Sequence, residues 1–316
     1  MANKHNTLTS LFDDIADAIR ANSNITEQIK ADTYPAYIRM LGYDGTIPAM
    51  PSVLNSCSWD FIRWASDEGI ADLLWSIGDA KQITINGTIG TKSYSGYNPW
   101  VYILEFNHNA GLEGNNKIHF GCFRRDQNYN GSNSIALDDD KYNSYSTASG
   151  YFVMNTSTTN SGGWESCQMR TIVLNSNASS PSSASNNSFL KALPSDLKSV
   201  LKQCTKYTDN VGGGSNLANN VTGTKDWLWL LSNFEVQGVV NQSNSAEQNY
   251  QKQYQYYKNG NSKIKYRHSN TGSAAYWWLR SVVATNSRFF CRVGTDGGAT
   301  INVAHWSFGV APGFCV

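Results

Sequence analysis

The chain has 316 residues with a formal net charge of +1, and 40% of its residues are hydrophobic. This length and apolar content suffice for a substantial core. The near-neutral charge excludes a polybasic nucleic-acid-binding or membrane-surface protein, because no excess of cations is present to neutralise phosphates. Polarity comes instead from Asn, Ser, Thr and Gly, together with 12% aromatic residues. That mixture is typical of β-rich binding proteins, in which hydrogen bonds and flat apolar contacts matter more than charge.

Helical spacing opens the chain over residues 7–41, and we assign residues 1–45 to an N-terminal helical segment. A second helix is expected from Thr26 to Leu41, interrupted at Pro35. The segment is either an appendage docked on the rest of the chain or an attachment or oligomerisation element, and it lacks the apolar core of a signal peptide. The chain also contains no apolar run long enough to span a membrane. The apolar stripe of the first helix consists of Leu8, Leu11, Phe12, Ile15 and Ile19.

A Gly- and Pro-containing linker at 42–52 leads into an accessory α/β region, which we place at residues 46–150. Within it, a helix is expected over residues 58–79, and short strands are expected at 82–87 and 100–106. Asn, Ser and Asp predict loops from 126 to 163. The run Asp138 to Asp140 could hold calcium, but it lacks the calcium-loop ligand pattern, so a solvated turn is the favoured interpretation.

The remaining residues, 151–316, show tighter patterning. Helices are predicted over 164–175 and over 189–208 after Pro194. Residues 223–236 predict a buried strand that ends in a turn or short helix, and Glu235 is expected to cap or hydrogen-bond that turn. Residues 249–267 are either an aromatic-faced helix or a partner-binding loop. Strands are expected at YWWLRS, FFCRV, ATINV and VAPGFCV, with a hairpin turn at GTDGG. Helices mixed with short, irregularly spaced strands indicate an α+β fold rather than a parallel α/β repeat.

Motifs for catalysis or cofactor binding are lacking. The five histidines and six cysteines show no metal-ligand spacing, and the cysteines are expected to be buried small hydrophobic residues. The run Gly212 to Gly214 has no following Lys-Ser or Lys-Thr, which a phosphate loop requires. Glutamates lie near aromatic residues, but nothing pairs two of them for acid–base catalysis. The sequence therefore predicts no metal, no cofactor and no enzymatic activity.

A compositional break marks the end of the chain. Lys, Glu, Gln and Met supply nine of the residues from 246 to 267, but none of those from Val282 to Phe308. The residues found there include Val, Thr, Asn, Arg, Phe, Gly, Asp, Ile and His, and each can be reached from the asparagine codon AAC by changing its adenines. Lys, Glu, Gln and Met cannot. The stretch is therefore either an ordinary Gly/Thr-rich hairpin or a region diversified at adenines.

Three motifs flank or interrupt this stretch, namely YWWLRS (276–281), FFCRV (289–293) and GVAPGFCV (309–316). They resemble the variable proteins of diversity-generating retroelements, in which error-prone reverse transcription at adenines rewrites a C-terminal region. GGWESCQMRTIVLN, LPSDLKSVLKQCTKYTDN and DWLWLLSNFEV resemble the body of the C-type-lectin-fold domain that presents this region. SWDFIRWASDEGIADLLWSIGDAKQITING and residues 7–41 are more weakly similar to accompanying parts of tailed-phage structural proteins.

This resemblance implies a C-type lectin fold, like that of formylglycine-generating enzymes, over residues 151–316, with a variable region at about 276–316. Alternation along a strand would turn Arg292 outward, and Cys291 and Val293 inward. Trp306 is not reachable from AAC and would be an anchor. The residues implied to be core are Trp277, Trp278, Leu279, Val293, Val310 and Phe314. The positions implied to bind ligand are Val283, Thr285, Arg288, Phe289, Arg292, Gly294, Thr295, Asp296, Gly298, Thr300, Ile301, Asn302, Val303, His305, Trp306 and Phe308.

The function implied is that of a receptor-binding phage tail-tip adhesin, whose ligand is a bacterial cell-surface protein or glycan. Its N-terminus would contact other tail proteins, and a homotrimer is one oligomeric state the resemblance allows. The protein would be made in the bacterial cytoplasm and end in the virion, or alternatively lie on the bacterial cell surface. Two alternatives stay open: a carbohydrate-active or formylglycine-generating-like enzyme on the same fold, and a purely structural virion protein.

Overall fold

The computed structural model describes residues 7–128 and 130–316, so residues 1–6 of the predicted N-terminal segment lie outside it. The described residues form two compact units that divide between Ser76 and Ile77. This division differs from the segment boundaries predicted at 45 and 150. The physical reason is that strands before residue 150 pair directly with the last strand of the chain, which places both in one unit.

The unit that ends at Ser76 is helical. Thr7 caps its first helix with a capping box that includes Ser10, and Ser58 caps the third. The predicted helix from Thr26 begins only at Tyr34, because Pro35 is tolerated in the first turn of a helix and not in its interior. The helices of this unit are α1 (Leu8–Ala21), α2 (Tyr34–Met40), α3 (Trp59–Asp67) and α4 (Ala71–Leu74), with single 3₁₀ turns at Ala31–Thr33 and Leu54–Ser56.

Two helix predictions in this unit need correction. The expected helix over 58–79 is two short helices, because Gly69 adopts φ of +66° between them and ends the first. The stripe of α1 is only partly covered, since Ile19 is buried whereas Leu8 is 65% exposed. None of the helices in the described ranges is long and apolar enough to cross a membrane.

The unit that begins at Ile77 contains several small sheets connected by short helices, a mixed α+β architecture. Its strands are β1 (Ala80–Gln82), β2 (Ile85–Ile89), β3 (Lys92–Tyr97), β4 (Trp100–Phe106), β5 (Ile118–Arg124), β6 (Ile135–Ala136), β7 (Cys204–Asp209), β8 (Val221–Asp226), β9 (Trp229–Leu230), β10 (Lys265–Arg267), β11 (Ala274–Ala275), β12 (Trp277–Val282), β13 (Phe289–Val293), β14 (Ala299–Val303) and β15 (Pro312–Cys315). Its helices are α5 (Ala110–Glu113), α6 (Gly163–Ser166), α7 (Phe189–Ala192), α8 (Ser195–Val200), α9 (Asn233–Gln237) and α10 (Gln255–Lys258), with a π-helix at Met169–Leu174 and 3₁₀ turns at Pro181–Ser183, Ala218–Asn220 and Ser245–Asn249.

The largest sheet has the order β1-β4-β5-β15-β9, and all its neighbours are antiparallel. Every residue of β5 is buried, so both faces of the sheet are covered at this strand. Phe314 of β15 pairs with Phe120 of β5, and their rings stack with centroids 5.1 Å apart. The C-terminal strand is thus held in the middle of the core rather than at an edge.

A separate three-stranded antiparallel sheet, β12-β13-β14, carries the predicted variable stretch. The expected strands and the GTDGG hairpin are confirmed there. The expected short helix after β9 is also confirmed as α9, with Glu235 in its capping box. The other sheets are β11-β10-β6, β2-β3 and β7-β8.

Two other predictions are wrong in part. The helix expected to reach residue 208 ends at Val200, because residues from Cys204 onward form β7, whose backbone pairs with β8. Residues 249–267 are neither one long helix nor one loop. They contain α10 and β10, and Tyr254, Tyr256 and Tyr257 are buried within the fold.

Candidate functional site

The predicted variable stretch is built on a tight hairpin. Phe289 pairs with Val303 and Val293 with Ala299, so β13 and β14 are in register along their whole length. The turn closes with the Gly294 N–H donating to the Gly298 carbonyl at 2.7 Å. Gly297 has φ of +84°, a conformation that residues with a side chain adopt only at a cost. Turn geometry therefore accounts for the glycines, and Gly294, which is buried, is corrected from a ligand-binding to a structural position.

The residues expected to form a rigid frame are buried. Trp277, Trp278, Leu279, Val293, Val310 and Phe314 are all fully buried, which confirms their core assignment. The Trp277 indole N–H donates to the Lys263 carbonyl at 3.0 Å, and that of Trp278 donates to the Phe152 carbonyl at 3.0 Å. Because both indoles bury their rings and satisfy their polar atoms, β12 is fixed from two sides.

The remaining positions implied to bind ligand differ in exposure. The exposed ones are Thr285, Arg288, Asp296 and Gly298. The half-buried ones are Phe289, Thr295, Thr300, Ile301, Asn302, Val303, His305 and Trp306. The buried ones, besides Gly294, are Val283, Arg292 and Phe308.

Phe308 is corrected to a core residue. It is fully buried, and its ring makes edge contacts with Trp278 at 5.1 Å and with Tyr276 at 5.6 Å between centroids. The sequence assigned it to the surface because phenylalanine is reachable from AAC. Burial of its ring among other aromatic side chains gives it a packing role instead.

Arg292 does not point outward as strand alternation predicted. It is 8% exposed, and its guanidinium carbon lies 3.9 Å from the Tyr276 ring centroid and 4.1 Å from that of Phe308. Burial lowers the pKa of Arg292 to about 10. Its Nε and Nη1 have no hydrogen-bond partner among the described residues. Strand alternation does place Arg292 and Cys291 on opposite faces, but the rings of Tyr276 and Phe308 cover the face that carries Arg292.

Two adjoining pockets open on the other face of the hairpin, the face that carries Cys291 and Ile301. The larger has a volume of about 480 Å³ and the smaller of about 180 Å³. Ile301 lines both of them. Five of the positions implied to bind ligand line one pocket or both, namely Val283, Thr285, Phe289, Thr300 and Ile301. Val283, although buried by area, borders the larger pocket.

Residues that the sequence did not single out supply the other walls. Asn241 and Gln242 line both pockets, and Asn233 lines the smaller one. Asn233 is fully buried, and its Nδ2 donates to the carbonyls of Val239 and Val240, whereas its Oδ1 has no partner among the described residues. The Asn- and Gln-rich run 241–244 was the only signal for this wall in the sequence.

The chemistry of the pockets is uncharged. Each described lining residue is an amide, a hydroxyl, a thiol or an apolar side chain. Phe289 and Ile301 supply apolar surface, while Asn241 and Gln242 supply both donors and acceptors. Such a lining suits a neutral ligand with hydroxyl or amide groups better than an ion, since no charge would be offset on binding.

Behind this sheet lies a buried ion-pair network. Arg280 of β12 makes a two-point contact with Glu235, and the Lys206 ammonium lies 3.1 Å from Glu235 and 2.6 Å from Glu113. Burial acts to raise the pKa of Glu235, but Arg280 and Lys206 together hold it well below its usual range. All four groups are buried. Each of these buried charges therefore has an opposite charge beside it inside the fold.

The acidic run at 138–140 also departs from expectation. Asp138 and Asp139 are buried, which corrects the predicted solvated turn. Asp138 accepts hydrogen bonds from Arg267 and Ser269 and lies 2.8 Å from the His268 ring. Asp139 accepts from the Lys141 N–H at 2.9 Å and the Ser307 hydroxyl at 2.7 Å. The carboxylate oxygens of Asp138 and Asp139 thus accept hydrogen bonds from side chains and backbone N–H groups of the protein itself.

Comparison with known proteins identifies a family. Residues 140–316 match a family model described as a domain of unknown function, DUF6273. The matched segment contains β12, β13 and β14 and the residues that line both pockets. No curated protein and no solved structure matches the chain. Because the family model covers more than half of its residues, the chain belongs to the DUF6273 family.

Proposed function

We propose that this protein is a receptor-binding protein that uses its C-terminal hairpin and the adjoining pockets as a variable ligand-binding surface. In this proposal the second unit is a C-type-lectin-like scaffold. The protein is the variable component of a diversity-generating retroelement and acts as a phage tail-tip adhesin. Its ligand is a molecule of the bacterial cell surface, and its N-terminal unit contacts other tail proteins.

The observation that carries the proposal is the contrast between the hairpin and its flanks. The frame residues Trp277, Trp278, Leu279, Val310 and Phe314 are fully buried, whereas most positions assigned to variation are exposed or half-buried. A surface whose side chains change needs a backbone whose position does not depend on them. The burial of Trp277 and Trp278 beside this hairpin supports that separation of roles.

Pocket chemistry supports a neutral ligand group. Ile301 and Phe289 offer an apolar surface, Asn241 and Gln242 offer hydrogen bonds, and Asn233 Oδ1 offers an unused acceptor. A sugar residue of an uncharged surface glycan has matching features, since its hydroxyl groups donate and its ring carbons are apolar. A hydroxyl donated to Asn233 Oδ1 would satisfy a buried polar atom, which favours binding.

Direct binding tests the surface. Fluorescently labelled full-length protein is applied to a panel of intact bacterial strains and to their isolated neutral polysaccharides. Ile301→Arg places a bulky charge in both pockets and should weaken binding at least about tenfold. Ser199→Arg, on the exposed side of α8 in the same unit, is the matched control and should bind like the wild type. Equal binding by all three proteins would mean that the pockets are not the site.

The variable character is tested in the DNA. A near-copy of the coding region for residues 276–316, mismatched almost only at adenines and beside a reverse transcriptase gene, is the expected result. A flanking sequence without such a copy would remove the basis for variation while leaving pocket binding to be judged by the binding assay.

A further inference from the structure

The core of the second unit brings together one imidazole and two thiols from three different strands. His119 lies in β5, Cys204 in β7 and Cys315 in β15, and all three side chains are fully buried. A ring nitrogen of His119 and the two Sγ atoms lie within 4.8 Å of one another. His119 and Cys315 are cross-strand partners in the main sheet. This spacing allows a single ion to contact all three atoms, given usual metal–sulfur and metal–nitrogen bond lengths.

His119 is poised as a ligand. Its Nδ1 lies 3.1 Å from the Tyr254 hydroxyl, and its Nε2 has no hydrogen-bond partner among the described residues. Nδ1 also lies 3.9 Å from Glu113 Oε2. In the tautomer whose Nδ1–H donates to Tyr254 the lone pair is on Nε2, and metal-binding histidines are commonly oriented by such a hydrogen bond from the other ring nitrogen.

A carboxylate stands beside the thiols. Cys204 Sγ donates to Glu113 Oε2 at 3.1 Å, and this oxygen also accepts from Lys206 at 2.6 Å. Cys315 Sγ donates to the Lys202 carbonyl at 3.1 Å. An ion would replace both thiol protons and share the Glu113 carboxylate with Lys206.

The charge balance permits such an exchange. Glu113 and Glu235 are already balanced by Lys206 and Arg280. A divalent cation that displaces two thiol protons adds two positive and two negative charges, so the buried region stays neutral. Without an ion, Nε2 of His119 stays unsatisfied among the described residues of the core, which is unfavourable.

We propose that His119, Cys204 and Cys315 bind a zinc-type divalent metal ion, with Glu113 as the fourth ligand. Binding converts two thiols to thiolates and releases two protons to solvent. A four-coordinate, buried site of nitrogen, sulfur and oxygen ligands is closed and therefore structural, tying β15 to β5 and β7. The spacing of histidines and cysteines in the sequence could not reveal this site, because its ligands come from separate strands rather than from a local pair. This proposal is independent of receptor binding.

Metal content of the full-length wild type is the primary test. The protein is refolded with zinc and dialysed exhaustively against zinc-free buffer. Its zinc content per chain is then measured by elemental mass spectrometry. One zinc per chain is expected, together with a higher melting temperature than that of protein refolded with a chelator. Refolding with Co²⁺ should produce a thiolate-to-cobalt charge-transfer band. Protein that retains no zinc and gives no such band would overturn the proposal, whether or not any variant folds.

Variants locate the site. Cys204→Ser and Cys315→Ser should each lose the ion, whereas Cys167→Ser should retain it, because Cys167 is equally buried but lies outside the cluster. Equal zinc content in all three variants would contradict the assignment. So would a Cys204–Cys315 disulfide in the native wild type, detected by peptide mass spectrometry, since oxidised sulfurs cannot bind zinc as thiolates.

Discussion

The guanidinium of Arg280 and the carboxylate of Glu235 meet at two points inside the protein, with Nη1–Oε2 at 2.5 Å and Nη2–Oε1 at 2.9 Å. Glu235 also accepts the Ser232 N–H that begins α9, so one carboxylate caps a helix and holds β12. Arg280 completes its bonding with Thr208 and the Leu230 carbonyl. Through these contacts the pair connects β12 to α9, β7 and β9, which lie behind the sheet that carries the variable stretch.

Removing one partner of this pair should be strongly destabilising. Arg280→Met leaves the Glu235 charge buried with Lys206 as its remaining cation, and we expect a loss of about 3–5 kcal/mol in the free energy of unfolding. Chemical denaturation monitored by tryptophan fluorescence measures this loss. Lys92→Ala breaks the exposed ion pair with Asp140 and should cost less than about 1 kcal/mol. Similar losses in the two variants would show that burial does not govern the Arg280 contact.

The hairpin separates display positions from core positions. Phe308→Ala and Trp278→Ala each remove a fully buried ring and should each cost about 3–5 kcal/mol. Joint replacement of the half-buried Thr295, Thr300, Asn302 and His305 by alanine should cost less than either. Thermal and chemical unfolding of the same variants provide the comparison. A joint variant as unstable as Phe308→Ala would mean that the whole hairpin is core.

Glycine at position 163 is required by a close backbone approach. A Cβ at Gly163 would lie 2.1 Å from the Asp209 carbonyl oxygen, and the residue has φ of +52°. Gly213 has a similar φ of +70°, but a Cβ there meets no described atom within 4 Å. Gly213→Ala should therefore cost only the backbone strain, about 1–2 kcal/mol, and Gly163→Ala clearly more. Equal melting temperatures for the two variants would contradict the steric account.

Local patterning predicted much of the C-terminal sheet. YWWLRS and FFCRV are apolar strand runs, and GTDGG supplies the glycine that the turn requires at Gly297. Glu235 was expected to cap or hydrogen-bond a turn, and the structure shows it in a capping box with Ser232. Each of these sequence patterns involves only a few neighbouring residues, so the strands, the turn and the helix cap can be predicted without knowing the fold.

The features that the sequence did not predict depend on contacts between residues far apart in the chain. Asp138 is buried against Arg267, His268 and Ser269, which lie more than a hundred residues away in the chain. The residues next to Asp138 in the sequence do not predict these contacts. The walls formed by Asn241 and Gln242 meet the hairpin only in the folded chain. Arg292 was placed on the surface from strand alternation, which cannot show that the rings of Tyr276 and Phe308 cover that face of β13.

Glu247 should give the protein a measurable pH dependence. Burial raises its pKa from 4.5 to about 7, although the Ser281 hydroxyl donates to it at 2.8 Å. The folded state holds this proton more tightly than the unfolded chain, so the stabilising contribution is complete below about pH 4.5 and is lost as the pH rises through 7. Glu247→Gln removes the titration. Between pH 4.5 and 8 the wild type should therefore lose up to about 3 kcal/mol relative to the variant, measured by denaturation at each pH. Parallel pH profiles would rule out a buried titrating Glu247.

Arg292 should behave in the opposite way to Arg280, although both guanidiniums are buried. Arg280 satisfies its donors with Glu235, Thr208 and a carbonyl, whereas Nε and Nη1 of Arg292 have no partner among the described residues. Arg292→Met keeps an unbranched apolar stem against Tyr276 and Phe308 and removes two unsatisfied N–H groups. We expect its free energy of unfolding to stay within about 1 kcal/mol of the wild type or to rise, because the lost cation–π contact is offset by the removed desolvation cost. Denaturation of Arg292→Met beside Arg280→Met tests this directly. A loss as large as that of Arg280→Met would mean that the Arg292 guanidinium stabilises the fold, and its position could not then vary freely.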